Sequence, residues 1–152
     1  MKSPEKQLDT FIKKYDPHIA KTAKDMFAKL RTIVPNATIL VYDNYNALAI
    51  GFGPSERSSD AILSIALYPK WVSLFFLQGA KLPDPARRLR GSGKVAPHIV
   101  LESADDLDHP EIATLIERAL ELAKVSIEPA NESKIIIKSV SENQRPRRPP
   151  SK

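Results

Sequence analysis

Apolar residues in the first 35 positions recur every three or four residues, and each of the two stripes they draw is introduced by a capping side chain followed by proline. Ser3-Pro4 precedes Leu8, Phe11, Ile12 and Tyr15; Asp16-Pro17 precedes Ile19, Ala23, Met26, Phe27, Leu30 and Ile33. A Ser or Asp oxygen accepts one of the free amides of a first helical turn, and proline has no N–H to leave unpaired there. Both segments are therefore predicted to be helices, the second ending before Pro35, which pushes its predecessor out of the helical region.

From Thr38 the pattern changes to short apolar runs rich in β-branched and aromatic residues. Thr38–Asp43, Ala47–Phe52, Ala61–Tyr68 and Val72–Leu77 are predicted strands, each bounded by turn residues. The connections at 44–46, 53–57 and 69–71 are too short for parallel crossovers, so an antiparallel meander is expected. In Ala47–Phe52 the small residues Ala47, Ala49 and Gly51 alternate with Leu48, Ile50 and Phe52, which leaves one face open to a helix or a ligand, a packed helix being the expectation. A Gly/Pro-containing loop, Lys81–Lys94, with a helical turn expected after Pro85, leads to a fifth strand, His98–Glu102. Asp108-His109-Pro110-Glu111 then opens the clearest helix, with carboxylates at its positive end and a stripe of Ile112, Leu115, Ile116, Ala119, Leu120 and Ala123 to cover the sheet.

Lys134–Val140 can add a short extra strand, while the proline- and arginine-rich segment after it has no apolar residues with which to build a core. The fold class expected is α+β: two N-terminal helices, an antiparallel sheet of about five strands, and a C-terminal helix packed on the sheet. Residues 1–141 are expected to form one domain and 142–152 a disordered basic tail.

Composition narrows the chemistry. With 152 residues, 42% of them hydrophobic, the chain can bury a core as one domain, and the absence of cysteine excludes disulfides and thiolate chemistry. No apolar run approaches the ~18 residues of a membrane span, and residues 1–11 lack the apolar stretch of a signal peptide, so a cytoplasmic location is expected. The net charge of +5 is concentrated in two places: Lys81, Arg87, Arg88, Arg90 and Lys94 in the loop, and Arg145, Arg147, Arg148 and Lys152 in the tail. The rest of the chain is net negative, so a uniformly basic, nucleic-acid-coating surface is not expected; only the tail offers weak electrostatic attraction to nucleic acid.

The order helix, helix, strand meander, Gly/Pro loop, strand, helix resembles the YdhG-like domains of unknown function, as do several words within it. Those words are Val41-Tyr42-Asp43-Asn44-Tyr45-Asn46-Ala47, Ala66-Leu67-Tyr68-Pro69, Leu82-Pro83-Asp84-Pro85, and Gly91-Ser92-Gly93-Lys94 leading to His98-Ile99. The resemblance covers about residues 4 to 125. It implies a small antiparallel sheet backed by helices and no assigned activity for most members; one branch is regarded as a frataxin-like intracellular iron chaperone. The chain departs from the family at Pro97 and Val100, where basic residues flanking the histidine are common.

Candidate chemistry falls into three groups. Gly91-Ser92-Gly93-Lys94 is not a phosphate-binding P-loop, because Arg88 and Val95 stand where a glycine and a Ser or Thr are needed and a strand follows. Its glycines can still turn backbone amides toward an anion, with Arg87, Arg88, Arg90 and Lys94 supplying charge. Glu102, Asp105, Asp106, Asp108 and Glu111, with His109 among them, offer oxygen ligands for a hard metal, although Asp108 and Glu111 are also explained as helix-start residues. His98, beside the basic loop, can face a pocket formed with Tyr42, Asn44, Tyr45, Tyr68 and Trp71 from strand ends and hairpins. No catalytic residue, metal ligand or cofactor is assigned. The leading expectation is a non-enzymatic domain that binds a small anionic ligand or a protein partner through the strand ends and the 81–94 loop, with no membrane partner. Iron delivery, and an enzyme centred on His98, are the alternatives.

Overall fold

The two capping signals act as their chemistry requires in the computed structural model, which describes residues 3–91 and 96–149. Ser3 Oγ accepts the Lys6 amide at 3.2 Å ahead of helix α1 (Pro4–Ile12), and Asp16 Oδ1 accepts the Ile19 amide at 3.1 Å ahead of α2 (Pro17–Ile33). The chain then forms β1 (Thr38–Asp43), β2 (Leu48–Gly53), β3 (Leu63–Leu67), β4 (Val72–Phe76), β5 (His98–Leu101), α3 (Pro110–Glu121) and β6 (Ile135–Val140). The fold is α+β. No helix among the described residues is long and apolar enough to cross a membrane.

β1 to β5 form the expected antiparallel succession, but the sheet has six strands in the order β5-β4-β3-β2-β1-β6 and is mixed. β6 pairs with β1 in parallel, Ile135, Ile136 and Ile137 opposite Ile39, Leu40 and Val41, with a register shift between Val41 and Tyr42. The excursion through α3 explains this: it carries the chain from the β5 edge to the opposite one, and only so long a connection allows parallel pairing.

Strand alternation sorts the side chains. Ile39, Val41, Leu48, Ile50, Phe52, Ile65, Leu67, Val72, Leu74, Phe76, Ile99 and Leu101 join the apolar stripes of all three helices in one core. On the other face the small residues of β2 are not packed by a helix among the described residues. The β2–β3 connection, with its short 3₁₀ turn Ser58–Asp60, returns along this face, and Ala61 crowds the place a side chain at Gly53 would take while standing in ordinary contact range of Gly51. Tyr42 Oη hydrogen-bonds Ser58 Oγ, and Lys138 donates to the Glu56 carbonyl at 3.0 Å, fastening the connection to β1 and β6.

Two further expectations are corrected. The cap of α3 is His109, whose Nδ1 accepts the Glu111 amide at 3.3 Å, while Asp108 instead pairs with Lys29. Residues 142–149, expected to be disordered, dock on the ends of the strands: Ser141 and Arg145 donate their amides to the carbonyls of Asp43 (2.8 Å) and Tyr45 (2.9 Å), and the Gln144 amide group donates to Asp43 O at 3.1 Å. Composition judged whether this segment could build a core of its own; it borrows a buried carboxylate from β1 instead.

Candidate ligand-binding cleft

One end of the sheet, where the β1–β2 and β3–β4 turns lie side by side, is held by a buried tyrosine and a buried ion pair. Tyr15, just beyond α1, donates its hydroxyl to Leu67 O at 3.0 Å and accepts the Leu48 amide at 3.2 Å, tying β3 to β2. Burial pushes its pKa up to about 12, against some lowering by the nearby Arg147 cation. Asp43, the last residue of β1, is fully buried; its Oδ1 accepts from Arg147 Nη2 at 2.8 Å and its Oδ2 from Lys14 Nζ at 2.7 Å. Arg147 also donates to Asn44 O (2.5 Å) and Tyr45 O (3.3 Å), and its guanidinium lies 5.7 Å from the Tyr15 ring centroid. Among the described residues its Nε has no hydrogen-bond partner.

This anchor stands Arg145, Pro146, Arg148 and Pro149 up as one wall of a cleft of about 690 Å³, whose opposite wall is Asn46, Tyr68, Pro69, Lys70 and Trp71. The volume lies within the range of small-molecule sites. Tyr68 and Trp71 stack with centroids 4.9 Å apart and planes 24° apart, and Trp71 remains 44% exposed. Arg148 is oriented by the carbonyls that follow α1, donating Nε to Lys14 O at 3.1 Å and Nη2 to Lys13 O at 3.5 Å. Among the described residues no carboxylate lines the cleft, and neither Lys70, Arg145 nor Arg148 is ion-paired. These three exposed cations give the cleft a positive potential that salt screens.

The structure divides the residues expected to form one site. Tyr68 and Trp71 line the cleft. Asn44 and Tyr45 lie behind it and hold Arg147 through their carbonyls. Tyr42 is turned to Ser58 on the sheet face. Arg87, Arg90, Gly91 and His98 belong to the other end of β4, since Phe75 pairs with His98 and Arg90 bridges His98 through the backbone. His98 stacks on Phe75 at 4.7 Å with Nδ1 3.1 Å from Ala96 O, which is a packing role. Ser92, Gly93 and Lys94 lie outside the described residues. Within the loop, Asp84 accepts the amides of Arg88 and Leu89, both at 2.8 Å, and Arg88 is drawn to Glu111 (3.1 Å) and His109 Nε2 (3.2 Å). The turn expected after Pro85 is a single one, closed by Arg87 N to Asp84 O at 3.1 Å.

Sequence reasoning missed Asn46, Lys70, Arg145 and Arg148 as members of one site. The usable signal was Asp43, a carboxylate closing an otherwise apolar strand, which must find a cation if buried.

The acidic run is committed elsewhere. Asp106 closes a capping box, accepting the Glu102 and Ser103 amides at 3.0 and 3.4 Å, and Asp105 and Asp108 face Lys29. Among the described residues no three His, Asp or Glu side chains converge as a metal site. A second cleft, of about 560 Å³ at the opposite end of the sheet, includes Gln78, but that amide group is spent on Asp60 O, Ala61 O and the Lys124 amide.

Comparison with known proteins gives no match to a family model, a curated protein or a solved structure.

Proposed function

We propose that this protein is a non-enzymatic binding domain for a small anionic ligand, taken up in the cleft between the β3–β4 turn and the C-terminal segment. The observation that carries this reading is the set of three cations, Lys70, Arg145 and Arg148, without a carboxylate partner on the wall of the largest cleft described. Such groups give charge-assisted hydrogen bonds to phosphate or carboxylate, and Arg148 is already oriented, so little side-chain freedom is lost on binding. Membership of the YdhG-like domains belongs to the same proposal, supported by the sequence words and the order of elements. Iron delivery has weaker support, because Asp106, Asp108 and Glu111, among the carboxylates it would use, are engaged in a cap and in ion pairs.

Calorimetric titration with pyrophosphate at low salt tests the reading. Binding is expected in the native chain and at least about tenfold weaker in Arg145→Ala/Arg148→Ala, the loss of one strong charged contact already being worth about that much. Equal binding by both proteins, or none by either across phosphates and di- and tricarboxylates, overturns it.

A further inference from the structure

The two walls of the cleft differ in chemistry. The β3–β4 turn presents stacked rings, with Trp71 44% exposed although an indole is among the most favourable side chains to bury. The C-terminal wall presents Arg145 and Arg148 together with Pro146 and Pro149, and Lys70 stands beside the rings. A ligand with charge alone, such as a sugar phosphate or a small organic acid, leaves the indole unmatched; a ligand with an aromatic ring alone leaves three cations unmatched. We propose that the cleft takes a nucleotide, its base against the Tyr68–Trp71 pair and its phosphate against Arg145 and Arg148. The assignment rests on the anionic-ligand reading and names the class within it.

Physical details support it independently of the charge. Tyr68 can cover only one face of the indole, and a stacked base gains dispersion and desolvation from what Tyr68 leaves open, whatever the base. Asn46 lines the same cleft and carries both a donor and an acceptor, as a base edge requires. Pro69, Pro146 and Pro149 each lock their own φ, which restricts the backbone of both walls before a ligand arrives. A nucleotide reaches such a site either free or as one unit of a single strand.

Trp71 is the only tryptophan in the chain, so its fluorescence reports on the cleft alone. The full chain is titrated with inorganic phosphate, ribose 5-phosphate, adenosine 5′-monophosphate and a short single-stranded adenylate oligomer, by fluorescence and calorimetry. Adenosine monophosphate is expected to quench Trp71 and to bind about tenfold or more tightly than ribose 5-phosphate, the contribution of one stacked base. By calorimetry Trp71→Leu is expected to remove that advantage and Trp71→Phe, which restores a ring, to keep most of it. Tighter binding of the oligomer than of the monophosphate supports the assignment and identifies a strand as the source; the reverse supports it with a free nucleotide. If ribose 5-phosphate binds as tightly as the monophosphate, the nucleotide assignment is overturned and the anionic reading stands. If neither binds and pyrophosphate also fails, both fall.

Discussion

Arg147 Nη2 lies 2.8 Å from Asp43 Oδ1, with the arginine side chain 5% exposed and the carboxylate wholly enclosed. A carboxylate so placed is tolerable only with its cations present, and Lys14 supplies the second at 2.7 Å. Removing one partner strands the other. Arg147→Met, which leaves Lys14 in place, is expected to lower stability by about 3 kcal/mol, the range for breaking a buried pair. In Asp43→Asn/Arg147→Met the stranded charge is gone and part of the stability returns. Chemical denaturation of the two single variants and the double variant measures the coupling. The same variants are expected to lose pyrophosphate binding, because the wall carrying Arg145 and Arg148 has lost its anchor.

Tyr15 makes stability depend on alkaline pH. Its folded pKa is raised to about 12 from the ordinary tyrosine value of 10.0, chiefly by burial. The folded state therefore holds the phenol proton more tightly than the unfolded one, and the contribution is fully present below pH 10 and lost as pH rises from 10 toward 12. Thermal melts of the native chain from pH 8 upward are expected to fall more steeply above pH 10 than those of Tyr15→Phe. At neutral pH Tyr15→Phe is the less stable by about 1–3 kcal/mol, since the Leu67 carbonyl and Leu48 amide lose their partner. Parallel alkaline slopes in the two proteins would remove Tyr15 as the source.

Gly53 is a test of the sheet's covered face. A methyl group there would lie 3.0 Å from Ala61 Cα and 3.4 Å from its amide nitrogen, so backbone rather than a flexible side chain must move. Gly53→Ala is expected to be destabilising by about 1–3 kcal/mol, as for other overpacked positions. Gly51→Ala, whose added carbon meets nothing closer than 3.6 Å, serves as the tolerated control. Urea midpoints of the two variants decide it.

Asp84 acts locally. With both carboxylate oxygens taking successive amides, Asp84→Ala is expected to lower global stability by only about 1 kcal/mol, as for a lost cap. The same change is expected to speed amide exchange at Arg88 and Leu89 well beyond that of the core strands. Exchange followed by NMR reads the two amides individually.

The parts of this fold that local chemistry determines were legible in the sequence. Ser3-Pro4 and Asp16-Pro17 mark two helix starts that the structure keeps, and the short links after Asp43 and Tyr68 force antiparallel pairing. Whatever depends on distant partners was not legible. Ile135–Val140 reads as a strand, but its parallel place beside β1 follows from the route of the chain through α3. Ala49 and Gly51 announce an open face without saying that Ala61 closes it. The cleft suffered most. Tyr68 and Trp71 stand out in the sequence because strand-end aromatics are conspicuous, whereas Arg145 and Arg148 are placed beside them only through Arg147, whose carboxylate partner lies more than a hundred positions earlier. Arg87, Arg90 and His98, close to one another in sequence, stay together at the wrong end of β4 for such a site.

Arg148 reaches the carbonyl of Lys14 across 134 positions of sequence, and Arg147 reaches Asp43 across 104. During synthesis α1, α2 and the β1–β5 meander can condense before residues 141–149 have emerged, since domains assemble from the N-terminal side. Asp43 then waits in a partly formed strand end with Lys14 alone, and the loop that must close is among the longest in the molecule, which makes it a late event. The cleft is thus completed only when Arg145 and Arg148 have docked: a chain stalled before Arg145 holds the aromatic wall and has nothing to face it.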